Sequence, residues 1–298
     1  MLRWRQLRPW LLRLAPLLAL GVVYGGAALT SHLNIGHRHL LPLYPAVFIL
    51  AGVAVGTLRI STRRRLAVAA TAAGLQFAAA AGTYPHYLAY FNAIAGGPAN
   101  GHRLLVDSSL DWGQDLSRVK PWLDANNSGP APQPVFLFYF GSADPTYYGI
   151  TARRMPLADG LKAVVPFVRL ESGIYVVSAT HLANVYSPYR GPWTAPWESE
   201  YQALRAQEPA FVDFHRDAAR RASLQLQTPA EEWQRRWTRY DQLRFARLSH
   251  YLRVRGADAD LGHSIFVFRL TEREIAAATA GPLAEWRALI EQAAAPKP

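Results

Sequence analysis

Three histidines and an arginine crowd into residues 31–45, SHLNIGHRHLLPLYP, between two long apolar runs. Arg38 carries a planar guanidinium that can grip a phosphate through two parallel hydrogen bonds. His37 and His39 beside it can donate a further hydrogen bond or a proton. Together His37, Arg38 and His39 read as a phosphate- or pyrophosphate-binding set at the mouth of a membrane span. The competing reading is an interfacial loop, with His32 in it, whose basic side chains meet lipid head groups. The His37-x-His39 spacing also suits two metal ligands. No nearby carboxylate completes a set, so no metal site is assigned there.

Carboxylates gather further on. In DSSLDWGQD, Asp107, Asp111 and Asp115 stand four residues apart. On one continuous helix they would share a face, which leaves a divalent cation open as a cofactor. Asp107, however, reads as the end of a strand, the position where α/β folds place ligands. The structural alternative is that Ser108 or Ser109 and Asp111 cap a helix and favour its dipole. A third group, FGSADP with Asp144 followed by Tyr147 and Tyr148, again comes just after a strand-like run. Aromatic rings beside a carboxylate can form a sugar-binding surface, and a simple turn with core tyrosines explains the same residues. No Gly-rich phosphate loop, GxSxG, HExxH or Cys/His pair occurs.

These groups need elements to hold them. The chain has 298 residues, a formal charge of +11 and no cysteine, so disulfides and thiolate metal sites are excluded. A mean hydropathy near zero conceals a split: the first hundred residues are strongly apolar and the remainder reads as globular sequence. Three spans are expected, at 10–29, 40–58 and 66–83, giving a membrane region over 1–92. A signal peptide is the rival for the first run. Its length of about 20 residues and the span that follows argue against it. Arg13 can snorkel to the head groups, and Pro16 is tolerable in a membrane helix. Tyr84, Tyr87, Tyr90 and Phe91 form an interfacial aromatic belt.

Orientation follows from the basic residues. Arg3, Arg5 and Arg8 fall on the same side as the RISTRRR loop, and that side is expected to be cytoplasmic. The histidine loop and everything after about residue 84 then lie outside, which in a bacterium means the periplasmic face of the inner membrane. Membrane lipids are expected partners. Nucleic acid is not: the arginines are scattered rather than gathered on one face, and a nucleic-acid binder gives no reason for three spans.

Residues 93–298 are expected to form an extracytoplasmic α/β or α+β domain with a mostly parallel sheet. Strands are predicted at 102–107, 135–140, 173–179 and 264–270. VFLFYF within them is apolar throughout, as in a strand covered on both faces. The apolar spacing predicts a helix over 111–124, with Pro121 kinking or stopping it. Thr228-Pro229-Ala230-Glu231 reads as a capping box opening a helix to 254, and Thr271 with Glu274 as another. The Trp-rich 193–240 stretch suits either a core or a membrane-resting surface.

Four stretches in order carry a further signal: LNIGHRHLLPLYP, YPHYLAYFNAIAGGPANG, LLVDSSLDWGQDL and FYFGSADPTYYGI. With them the chain resembles the C-terminal part of bacterial glycosyltransferase family 39-like membrane proteins, relatives of the protein O-mannosyltransferases with a GT-C architecture. The resemblance covers residues 33–150, and extends more weakly through GIYVVSATHLANVY to LGHSIFVFRL. It implies transfer of a sugar from a polyprenyl-phosphate carrier to an acceptor outside the membrane. Under it Arg38, helped by His37 or His39, meets the carrier phosphate, and the 107–115 segment faces the site from the outer domain. Members of that family carry more spans ahead of this region and a catalytic acidic residue in their first outer loop. No acidic residue precedes Asp107 here. The expectation is a C-terminal portion that is inactive without an N-terminal membrane half, with a separate chain as a candidate partner that supplies it. The alternative is a non-catalytic membrane-anchored module that binds glycan or a partner.

Overall fold

The computed structural model describes residues 4–31, 36–57, 60–155, 167–282 and 284. The chain divides into two compact units, Met1–Tyr87 and Leu88–Pro298.

The first unit is helical. Helix α1 (Trp4–Thr30) ends where the Thr30 hydroxyl donates to the carbonyls of Gly26 and Ala27. A 3-10 helix, Gly36–Leu43, leads into α2 (Tyr44–Thr57). Helix α3 (Thr62–Ala81) follows, its N-terminus capped by Ser61, whose side chain accepts from the Arg64 N–H. Within α1 the stretch Leu12–Thr30 has a mean hydropathy of 1.7, and among the described residues it is the one helix long and apolar enough to cross a membrane. The apolar stretch Leu40–Gly56 is shorter. Large apolar side chains on all three helices, including Val22, Leu29, Phe48 and Phe77, point outward.

The second unit is built on a five-stranded mixed sheet in the order β2-β1-β3-β5-β4. It opens with a short helix, α4 (Pro98–Gly101), and 3-10 turns at Asp107–Ser109 and Gln114–Arg118, the latter leading into α5 (Val119–Asn126). Strand β1 (Val135–Phe138) runs parallel to both β2 (Arg153–Arg154) and β3 (Gly173–Ser178). After β3 come α6 (Ala179–Leu182), α7 (Ala195–Arg205), α8 (Glu208–Arg216), α9 (Ala218–Gln227) and the 26-residue α10 (Ala230–Arg255). Strands β4 (Ala259–Leu261) and β5 (Ile265–Leu270) form a hairpin whose second strand pairs antiparallel with β3, and α11 (Glu272–Thr279) closes the described domain. The sheet is thus half parallel and half antiparallel rather than mostly parallel, because the β4–β5 turn reverses the chain at its edge.

Continuous apolar strands are explained by cover on both faces. Phe136, Phe138, Tyr175, Val177, Phe266 and Phe268 point to one side, against Phe245, Leu248 and Leu252 of α10 and Ile275 of α11. Val135, Leu137, Ile174, Val176, Ile265 and Val267 point to the other, against Leu116, Val119 and Leu123. Phe136 and Tyr175 are cross-strand neighbours in register, stacked with ring centroids 4.4 Å apart. A third cluster joins α7, α8 and the first half of α10, with Tyr201, Phe211, Trp233, Trp237 and Tyr240 buried. Trp233 and Trp237 are therefore core residues rather than a surface resting on a membrane.

Several sequence-level expectations need correction. Residues 102–107 form no strand: the N–H groups of Arg103, Leu104 and Leu105 turn back to the carbonyls of Asn100 and Gly101. The 111–124 helix starts later, because Gly113 takes a left-handed φ of 77° and a 3-10 turn intervenes. Pro121 does not kink the helix. It is the third residue of α5, in the first turn, where its missing N–H breaks no intrahelical bond. The capping box at Thr228 is absent, since Thr228 closes α9 with its N–H on the Leu224 carbonyl and Pro229 takes the cap position of α10. At Thr271 and Glu274 the capping box is present in full.

Candidate functional site

Because β1 and β3 are parallel, their C-terminal ends lie side by side, and the chain leaves both at the same edge of the sheet. Backbone groups at such an edge have run out of ladder partners, which makes it a common ligand position in α/β folds. The 107–116 segment is drawn onto this edge by hydrogen bonds rather than by regular structure. The Asp107 N–H donates to Thr180 Oγ1 (3.0 Å), and the Thr180 N–H donates to Asp111 Oδ2 (3.1 Å). Asp111 Oδ1 takes the Gly113 N–H (3.1 Å), and the Tyr139 hydroxyl donates to the Gly113 carbonyl (3.0 Å). From the strand side, the Phe140 N–H donates to Ser178 Oγ (3.2 Å). Gly113 is needed for two reasons, its left-handed φ and the Tyr139 hydroxyl occupying the space of a Cβ.

Asp111 is fully buried. Loss of water around it pushes its pKa up to about 6, against the opposing pull of hydrogen bonds from Thr180, Gly113 and Ser178. Asp115 is buried as well but faces elsewhere: it accepts from the Ser264 hydroxyl (2.7 Å), from Arg118 Nε (2.9 Å) and from Gln114 Nε2 (3.3 Å). It thereby fastens the β4–β5 turn, where Gly262 (φ 72°) leaves room for its carboxylate. Asp144 is exposed and caps the 3-10 turn Pro145–Tyr148, accepting from the Thr146 N–H and hydroxyl. Those two bonds hold its pKa below the usual carboxylate value. The three aspartates 107, 111 and 115 do not share a helix face, and among the described residues no three His, Asp or Glu side chains are placed to hold a metal ion.

Asp107 differs from the other three. It is half-buried, adopts a left-handed φ of 55°, and takes the Tyr186 hydroxyl on Oδ2 at 2.8 Å. Among the described residues, nothing hydrogen-bonds its Oδ1. Tyr186 is stacked on Phe140 with centroids 5.7 Å apart and planes 18° from parallel, and His181 meets the edge of the Phe140 ring at 6.1 Å. Trp112, 59% exposed, projects from the same segment with its indole N–H on the Ser108 carbonyl. An open carboxylate oxygen beside a half-exposed stacked aromatic pair can accept a hydroxyl hydrogen and face the C–H surface of a ring-shaped polar ligand.

The structure brings Asp107 and Asp111 to one edge, turns Asp115 toward the β4–β5 hairpin, and uses Asp144 as a cap. The backbone of the 36–43 segment is a 3-10 helix, while the side chains of His37, Arg38 and His39, and all of His32, lie outside the described residues. Sequence reasoning did not single out Thr180, Ser178 or Tyr186. Their only local signal is that polar groups follow an apolar strand at once, in VVSATHLANVY. Compared with protein-family models, with curated proteins and with solved structures, the chain matches none.

Proposed function

We propose that this chain corresponds to the C-terminal part of a membrane glycosyltransferase that moves a sugar from a polyprenyl-phosphate carrier to an acceptor on the outer face of a bacterial inner membrane. In this reading the three helices of the first unit span the membrane, and the second unit is periplasmic. The outward-pointing apolar side chains of α1, α2 and α3 support that assignment, since such a surface needs non-aqueous cover. His37, Arg38 and His39 meet the carrier phosphate. The Asp107–Tyr186–Phe140 edge faces sugar or acceptor.

One observation carries the proposal. Three of the stretches that resemble family 39-like proteins are separated by tens of residues, yet meet at one sheet edge through Asp107–Tyr186, Thr180–Asp111 and Tyr139–Gly113. A second reading, a membrane-anchored glycan-binding module, draws on the same edge. It is favoured by the commitment of both oxygens of Asp111 and of Asp115 to protein donors, which leaves neither as a free base.

A photoactivatable polyprenyl-phosphate mannose, applied to bacterial membranes containing the chain, separates the two. The transferase reading expects labelling that excess polyprenyl phosphate displaces and that Arg38→Ala abolishes. Labelling indifferent to competitor and to the substitution would reject the transferase in favour of the module.

A further inference from the structure

A cleft of about 770 Å³ lies among the C-terminal turn of α7, the helix α8 and residues 167–169. That volume suits a small organic ligand. Three guanidinium groups line it, from Arg169, Arg205 and Arg216. Each carries five N–H donors, yet together they hold little. Arg205 donates once, to Gln202 Oε1 at 3.2 Å. Arg216 lies over the Phe167 ring, 5.7 Å from its centroid. Among the described residues, Arg169 makes no hydrogen bond or ion pair.

Nearby arginines behave differently. Arg239 pairs with Glu200, Arg236 and Arg235 with Glu232, and Arg244 with Asp241. Two carboxylates, Glu208 and Asp213, also line the cleft, but neither comes within ion-pair distance of the three arginines. Glu208 is instead hydrogen-bonded by the Tyr240 hydroxyl. Glu208 is thus engaged elsewhere, Arg169 feels only the field of Glu272 outside the cleft, and three guanidinium groups outnumber the two carboxylates that line the open volume.

One wall is aromatic. Phe167 packs against Arg244, 5.1 Å from its centroid, and against the Trp237 ring at 5.6 Å. Arg216 lies over the Phe167 ring, at the open side of the cleft. Arginines without ion-pair partners are suited to the tetrahedral oxygens of phosphate, where the planar fork makes two hydrogen bonds at once. Phe167, Val212 and Pro209 supply an apolar floor for the rest of a ligand.

We propose that this cleft binds a phosphate ester with a small organic body, through Arg169, Arg205 and Arg216. The site belongs to the second unit alone and does not depend on the glycosyltransferase reading. The test is calorimetric titration of the full chain, in nonionic detergent, with sodium pyrophosphate. The expected result is saturable binding at one site, weakened at least about 10-fold in the double variant Arg169→Gln/Arg216→Gln and unchanged in Arg220→Gln, whose side chain does not line the cleft. Near-UV circular dichroism checks that the variants fold, and the exposed positions of Arg169 and Arg216 make loss of fold an unexpected outcome. Absence of saturable binding by the natural chain, or equal binding by the double variant, overturns the proposal. Competition then distinguishes the source. Stronger displacement by dihexanoyl phosphatidic acid assigns a lipid phosphate headgroup, and stronger displacement by glucose 1-phosphate a phosphorylated sugar, each sustaining the site.

Discussion

Around the 107–116 segment, carboxylate oxygens meet backbone N–H groups and hydroxyls, and the chain there has little regular structure. In the α7–α10 layer, guanidinium groups meet ring faces and carbonyls inside regular helices. Arg244 lies within 6 Å of the Phe167, Trp237, Tyr240 and Phe245 rings. Arg247, with no exposed side-chain surface, grips Glu198 through Nε (2.8 Å) and Nη2 (3.0 Å), and its remaining donors reach the carbonyls of Ala277, Ala278 and Gly281 at the end of α11. A short acidic side chain organises a loop because it can accept two N–H groups close to its own backbone. A long, planar, permanently charged one organises helices because it spans the gap between them and still stacks on aromatic surface. Damage to the loop and damage to the layer are therefore felt differently.

The largest expected effect is in the layer. Arg247→Met leaves the partly buried Glu198 without its cationic partner, with only Trp193 and Gln202 still donating to it, and three carbonyls without donors, at a cost of about 3 kcal/mol, and Arg247→Lys does not restore the two-pronged contact. Urea unfolding in detergent micelles, followed by tryptophan fluorescence, measures both; a loss below about 1 kcal/mol would mean that Arg247 does not hold the layer together.

At the loop the effect depends on pH. The Asp111 pKa is raised from an ordinary 3.8 to about 6, so its folded-state value lies above the unfolded one. Stability from this group is fully present below about pH 4 and disappears as pH rises through about 6, by about 3 kcal/mol in total. A series of unfolding curves between pH 4 and 7 should show this decline in the natural chain and a flatter profile in Asp111→Asn. Identical slopes would mean that the buried carboxylate does not govern the loop.

The smallest expected effect on stability is at the sheet edge. Tyr186→Phe removes the hydroxyl that Asp107 accepts but keeps the stack on Phe140, and should cost no more than about 1 kcal/mol. If this edge binds hydroxyl-rich ligands, retention of the chain on an immobilised mannose resin should change in the variant while its melting temperature barely moves. A large drop in melting temperature with unchanged retention would make Tyr186 a structural clamp.

The sequence made the centre of the sheet legible, because β1, β3 and β5 are apolar on every residue that must be covered from both sides. β2 and β4, two and three residues long, are too short for any pattern to rise above neighbouring loops. The apolar HRLLVD run resembled a strand, but its N–H groups find nearer acceptors in the turn at Gly101. Spacing alone put Asp111 and Asp115 on one helix face, and a single left-handed glycine between them sends them to different partners. Asp111 caps no helix: it binds the N–H two residues on, at Gly113, and its second oxygen serves Thr180, 69 residues away. Arg247 could not be foreseen at all, since its partners come from α7 and α11 and no local spacing encodes a meeting of three helices.

Helix α10 belongs to two cores at once. Trp233, Trp237, Tyr240 and Leu243 fill the aromatic cluster, while Phe245, Leu248, Tyr251 and Leu252 lie against the sheet. To melt one core alone, the helix would have to break near its middle, exposing new unsatisfied ends that nothing is positioned to cap. The two clusters are therefore bound into one cooperative unit. Amide hydrogens in the two halves of α10 will exchange through the same opening event, and the layer that carries the arginine cleft cannot loosen without the sheet edge that carries Asp107 loosening too.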